Sequence, residues 1–374
     1  MNICLIGNIN DALKGNYIGG AEKQCALLAI GLANKGHYVV VVDIEYTGAP
    51  YVNGGIKIIP AWGTKHGFCG MRFIPCRIYS LLRKLKRINA DVYYMRGSCV
   101  IYAIITQYCR NLRKKVVWAL SGDGNISRKY LLTRNRNQLF YDRVFRSFFN
   151  QISNLWTMRK ADIIFCQTKK QLNLVRRSAR KSIIVPNIFD GSFQIPHEKL
   201  SHKSCLWVGK LCGFKGEEEL LRLSRILVNY EFRVVGDVSK VFLNSNVMRQ
   251  LKNQRNVKLL GRLQYNQVLD EMQHAPILIC TSPSEGFSNT FLEAWACKCT
   301  VVSLTVNPDN LLSEGGFGFC AYGNLNKMAM YIKMLSNDNV LREEIGEKVE
   351  RYVKNTHSSE QVVSKIEKVL LESK

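Results

Sequence analysis

The 374 residues carry 53 lysines and arginines against 29 acids, a net charge of +24, with 47% hydrophobic and 22% charged residues. This length and balance exclude a disordered chain and suit two domains, each with its own core. The 13 cysteines show no CxxC spacing, which excludes a zinc knuckle, and no run approaches the roughly eighteen apolar residues of a spanning helix.

The opening "MNICLIGNIN" has a strand-length apolar run without the basic leader of a signal peptide, so a cytoplasmic chain with reduced thiols is expected. A helix follows in "GAEKQCALLAIGLANKG", where Cys25, Leu28, Ala29 and Leu32 recur at helical spacing, and then a strand in "YVVVVDI". "MRFIPCRIYSLLRKLKRINA" (71–90) is basic without a single acid. Short apolar runs at 91–95, 114–120, 162–168 and 182–187 alternate with helix-length segments, which predicts a parallel sheet covered on both faces. Between 110 and 181, 18 positive charges meet 3 negative ones, interleaved with aromatics. The first 190 residues hold 30 basic against 9 acidic residues, the remainder 23 against 20. So uneven a surplus calls for an anionic partner, and the aromatic interleaving suits a lipid–water interface, with a plain solvated basic face as the alternative; the basic segments lack any recognised nucleic-acid module.

The apolar pattern breaks in "IFDGSFQIPHEKLSHK" (188–203), the expected linker. Alternation then restarts through "CLWVGK", "FRVVGD", "NVKLLG", "PILICTS" and "TVVSL", and the charged segment from 337 onward reads as two helices. The expected division is 1–190, 191–355 and a last helix over 356–374 that packs back on the first domain. Both domains should be doubly wound α/β units, with ligands at the carboxyl ends of their strands.

Three segments carry candidate chemistry. Gly19 and Gly20 stand between the first strand and the first helix, where backbone amides could meet a ligand or simply turn the chain. In "WVGKLCGFKGEEE", Lys210 and Lys215 lie between a strand and a helix, a placement that fits a diphosphate. In "SPSEGFSNTFLEAWAC", the amides of Gly286, Phe287, Ser288 and Asn289 open a helix, with Glu285 before them and Glu293 after. Thr290 and Glu293 have capping-box spacing, so Glu293 serves either its own helix or a ligand; Glu285 has no such structural use.

The segment "SPSEGFSNTFLEAWACKCTVV" resembles the signature of family 4 of the glycosyltransferases, retaining enzymes of the GT-B fold, in particular those that build bacterial surface polysaccharides. "GGAE", "NKGHYVVVV", "VPN", "VGKLCGFKG", "VVGD" and "GFGF" are similar to further motifs of that family in the same order. The resemblance implies two Rossmann-like domains facing across a cleft. Lys215 and Lys210 would bind the diphosphate of a UDP- or GDP-sugar donor, with Gly19 and Gly20 approaching the same phosphates. Glu285 would hold sugar hydroxyls, Glu293 the ribose, and the amides of 286–289 both sugar and phosphate. It implies no cofactor and no metal. Where the family commonly has a histidine, this chain has Ser121, Gly122 and Asp123; Asp123 either supplies a polar group to the reaction or makes a turn. Lys210 replaces the family's usual arginine, and Asn187 is assigned no site role.

The expected function is transfer of a sugar to a hydroxyl of a lipid-linked or glycan acceptor, at the inner face of the cell membrane, in polysaccharide biosynthesis. The alternatives are a GT-B sugar nucleotide epimerase or phosphorylase, and a basic nucleic-acid-binding protein.

Overall fold

The computed structural model describes residues 1–17, 19–63, 75–126, 140–191 and 201–372. Parts of the expected linker and of both basic stretches, at 192–200, 71–74 and 127–139, lie outside the described residues. Two compact units are present. One holds the described residues up to Ile188 together with those from Ser358 onward; the other holds those from Phe189 to His357.

The first unit is built on eight strands: β1 (Asn2–Gly7), β2 (Tyr38–Asp43), β3 (Tyr51–Asn53), β4 (Ile56–Pro60), β5 (Val92–Arg96), β6 (Lys115–Ala119), β7 (Ile163–Cys166) and β8 (Ser182–Ile184). Their order is β3-β4-β2-β1-β5-β6-β7-β8, parallel except for the antiparallel β3/β4 edge. The direction of winding reverses between β1 and β5. The all-parallel expectation misses that edge hairpin, whose turn is made by Gly54 and Gly55, both at positive φ. Side-chain alternation divides the core. Ile3 and Leu5 pack with the helix Gly20–Asn34, whereas Cys4 and Ile6 pack on the opposite face with Leu81, Leu85, Ile101 and Ile105. The helix Ser359–Glu372 adds Val362, Val363, Ile366 and Leu370 to the first of these cores. It lies so near that a Cβ built on Gly31 would stand 2.5 Å from a methyl of Val363.

The second unit has six parallel strands, β9 (Ser204–Val208), β10 (Glu231–Val235), β11 (Val257–Gly261), β12 (Ile277–Cys280), β13 (Thr300–Ser303) and β14 (Gly318–Cys320). Their order is β11-β10-β9-β12-β13-β14, so the winding reverses between β9 and β12. Trp207, Phe232, Phe291 and Trp295 are fully buried between sheet and helices. Apolar surroundings also account for the thiols: burial pushes those of Cys25, Cys109 and Cys166 up to about 12, as expected of small core hydrophobes and not of nucleophiles.

Candidate functional site

In an open parallel sheet the crevice beyond the strand ends at the reversal point is the natural ligand position. In the second unit that point lies past β9 and β12, which pair through Ile277 with Cys205 and Leu278 with Leu206. The two segments that follow these strands are those singled out in the sequence.

After β9 the chain turns through Gly209 to Gly216 and enters the helix Glu217–Ile226. Gly216 is left-handed, with φ 75°, and a Cβ there would lie 2.0 Å from the Thr281 carbonyl oxygen; only glycine fits. That approach seats the loop on the end of β12. The Thr281 hydroxyl donates to the Lys215 carbonyl at 2.9 Å and accepts from the Trp207 indole at 2.9 Å. From below, the loop is gathered by Glu217, only 2% exposed, whose carboxylate accepts the backbone amides of Cys212 (2.6 Å), Gly213 (2.8 Å) and Lys215 (3.0 Å). No sequence signal marks Glu217 among three consecutive glutamates; the clamp exists only once the loop closes over it.

The outcome is a fixed backbone for the loop that carries two lysines. Lys210 is exposed. Lys215 is half-buried and donates from Nζ to Glu285 Oε1 at 2.5 Å. Burial works to lower the Lys215 pKa, but the Glu285 carboxylate outweighs it and holds the ammonium above its ordinary value. The lysine expected on phosphate and the glutamate expected on sugar hydroxyls therefore face each other. Glu285 also reinforces burial in pushing the neighbouring Cys280 thiol up to about 11.

After β12, the turn Glu285–Ser288 leads into the helix Asn289–Ala296, whose N-cap is Ser288 with no side-chain cap. Ser288 instead shares a 2.7 Å hydrogen bond with the Thr290 hydroxyl. The helix therefore begins at Ser288, so that Thr290 lies inside it and is not the N-cap that the Thr290–Glu293 spacing suggested. Glu293 is buried. The Phe287 ring is also buried, edge-on to Trp295 at 6.1 Å and tilted against His357 at 5.2 Å, so this residue could offer a ligand its backbone and not its ring. Gly286 is buried, whereas Ser288 and Asn289 are half-buried.

In the first unit, Gly19 is the N-cap of the helix Gly20–Asn34 in an extended conformation. A Cβ on Gly19 would stand 2.3 Å from Glu22 Oε2, so the bare glycine makes room for a carboxylate at the helix start. Asp123 is buried, and its carboxylate accepts from Lys170 at 2.5 Å and from Gln171 Nε2 at 3.1 Å. The turn at 121–125 is organised by Asn125, whose Oδ1 accepts the amides of Ser121 and Gly122 at 2.7 and 3.2 Å. A carboxylate clamp like that of Glu217 recurs here, also unforeseen: buried Asp43 accepts the amides of Ile9, Asn10, Glu45 and Tyr46 at 2.6 to 2.9 Å, fixing the loop after β1. Asn187, given no role, is buried in a polar network with Arg96 and Gln167.

Residues 18–192 match the family model "Glycosyltransferase Family 4", and residues 202–338 match "Glycosyl transferases group 1". The chain is 26% identical over 212 residues to an uncharacterized glycosyltransferase of Methanocaldococcus jannaschii, covering 56% of this chain and 59% of that one. It is also 26% identical over 168 residues to the capsular polysaccharide biosynthesis glycosyltransferase CapM of Staphylococcus aureus, covering 43% of this chain and 44% of that one. Both matches span less than two thirds of the relative's length. Among solved structures, Anabaena HepE in complex with UDP and glucose superposes with a TM-score of 0.73 at 14% identity, covering 99% of each chain.

Proposed function

The chain belongs to the family 4-type glycosyltransferases of GT-B fold, and from that premise we propose that it transfers a hexosyl or N-acetylhexosaminyl group, with retention, from a UDP- or GDP-sugar to a lipid-linked or glycan acceptor in polysaccharide biosynthesis. The observation that carries the proposal is the Lys215–Glu285 pair, held with Lys210 on the strand-end crevice of the second unit. A diphosphate attracts Lys215 away from Glu285, because it carries two negative charges against the carboxylate's one and brings its own further contacts to Lys210 and the 286–289 amides. Glu285 is thereby released to accept from sugar hydroxyls, and buried Glu293 to take the ribose. As the bond to the sugar breaks, negative charge grows on the departing nucleoside diphosphate, where lysines and helix-start amides are already aimed. The acceptor hydroxyl attacks from the face the leaving group vacates, forming the new bond from its oxygen to the sugar and giving its proton to the departing diphosphate oxygen. In this scheme cations and amides replace a metal. The HepE complex with UDP and glucose, and the capsular function in the name of CapM, support a nucleotide-sugar donor and a polysaccharide product.

The test is a panel of UDP- and GDP-sugars scored by thermal shift, followed by transfer assays with and without a polyprenyl diphosphate-linked sugar. One donor should raise the melting temperature by several degrees, as expected when ligand far exceeds its Kd. Its turnover should require the acceptor. Turnover without any acceptor would favour an epimerase instead.

The acceptor's location is the second part of the proposal. Among the described residues no helix is long and apolar enough to cross a membrane. The helix Phe140–Lys160, however, exposes Phe148 (57%), Ile152 (47%) and Trp156 (43%) four residues apart, so that they share one face, with Phe149 beside them. Lys160 sits 5.5 Å over the Trp156 ring. Exposed Tyr79 lies on the helix Pro75–Ile88, which ends in Lys86 and Arg87. Rings for the acyl boundary and cations for anionic headgroups make this unit a candidate for peripheral docking at the inner face of the cell membrane. Vesicles with anionic lipid should sediment the protein, neutral vesicles should not, and salt should release it. Phe148→Ser with Trp156→Ser should weaken binding at least tenfold, since two large side chains lose their burial. Equal binding to neutral vesicles would refute the docking surface.

A further inference from the structure

The Arg96 guanidinium forms no ion pair among the described residues. Arg96 ends β5 at the reversal point of its sheet, and the pairing of Ile6 with Met95 sets Gly7 and Asn8 of the neighbouring strand alongside Arg96 and Gly97. The Arg96 guanidinium donates from Nη2 to Asn187 Oδ1 at 2.7 Å, and its Nη1 stands 3.5 Å from the Tyr94 hydroxyl. Its Nε is buried without a partner, and among the described residues no carboxylate pairs with the group. Everything that holds it is neutral. Gln167 donates to the same Asn187 oxygen at 3.0 Å, and Gln24 grips Ile188 on both sides, accepting its amide at 2.6 Å and donating to its carbonyl at 2.8 Å. On the adjoining strand end, Asn8 Oδ1 is likewise buried without a partner.

A half-buried guanidinium braced only by neutral groups is costly to leave uncompensated, and an anion would complete it. The planar fork of arginine matches a phosphate better than any other side chain does. The place is the ligand edge of an open sheet. We propose that Arg96 is an oxyanion-recognition site of the first unit that holds a phosphate of the acceptor, with the Asn8 carboxamide on a neighbouring hydroxyl. This deepens, and rests on, the proposed transfer to a lipid-linked acceptor.

The same phosphate chemistry could come from the donor, so the experiment separates the sources. Isothermal titration of the full chain with geranyl phosphate, geraniol, UDP and GDP is compared for the parent, Arg96→Met and Arg96→Lys. Geranyl phosphate should bind the methionine variant about tenfold or more weaker, the loss of a charged hydrogen-bonding partner. Lysine should restore part of the affinity, and geraniol should be unaffected by either change. A loss confined to UDP or GDP would support the oxyanion site with the donor as its source. If no phosphate ligand loses affinity in Arg96→Met while its melting temperature matches the parent's, the site is refuted. Should Arg96→Met not fold, equal affinity of the parent and Arg96→Lys for every phosphate refutes it equally. The donor reading fails separately, on absence of UDP and GDP binding to the parent, and leaves the geranyl phosphate comparison intact.

Discussion

Lys215→Ala is expected to lower kcat/KM for sugar transfer by about a hundredfold or more, the usual cost of removing a group aimed at developing charge, while the melting temperature moves by only a few degrees. The two effects separate because both members of the Lys215–Glu285 pair are partly solvated, and such pairs contribute at most about 1 kcal/mol. Glu285→Gln has a different signature. It removes the competitor that holds Lys215 at 2.5 Å, so affinity for the bare nucleoside diphosphate should stay level or rise while transfer collapses. The double variant should lose less than the two single losses combined, since each side chain conditions the other. Titration with UDP or GDP and steady-state kinetics give all four corners of this cycle. Parent-like nucleoside diphosphate binding by Lys215→Ala would remove the lysine from the phosphate site.

Glu217→Ala is expected to destabilise the protein by about 3 kcal/mol and to weaken donor binding as well. One buried carboxylate accepts the amides of Cys212, Gly213 and Lys215, and deleting it strands three donors at about 1 kcal/mol or more each. Because the same amides shape the loop that carries Lys210 and Lys215, that loop loses its shape along with the stability. Glu217→Gln should fall between, as one amide oxygen can still accept but its NH₂ group meets donors. Denaturant unfolding and donor titration measure the two effects. A variant with parent stability and parent affinity would show the clamp to be dispensable.

The sheets were legible because strands buried on both faces are continuous apolar runs: Val39 to Val42 and Ile277 to Ile279 can hardly be anything else. The β3/β4 hairpin escaped because Tyr51–Asn53 is too short to show a pattern. At the site, residue types were readable and their pairings were not. Lys215 and Glu285 are 70 positions apart, and each looked destined for a ligand. The helix starts at Ser288, two residues ahead of Thr290, and nothing local distinguishes the two starts. Asp43 and Glu217 look like ordinary loop acids until folding wraps backbone amides around them. At 121–125 the sequence draws attention to Asp123, yet Asn125 organises the turn.

The helix Ser359–Glu372 contributes Val362, Val363, Ile366 and Leu370 to a core that otherwise consists of residues up to Ile188. Glu367 reaches Lys35 and His37 at 2.8 and 2.7 Å, and Lys115 donates to the Leu370 carbonyl at 2.9 Å. During synthesis every strand of the second unit emerges before this helix does. The unit that begins first is thus the one finished last, and a ribosome-bound nascent chain carries an open apolar face along Gly20–Asn34 throughout translation of the other. Until that helix is made, the face lacks the apolar cover that Val362, Val363, Ile366 and Leu370 give it in the folded unit, which is the kind of exposed surface on which a nascent chain misassociates.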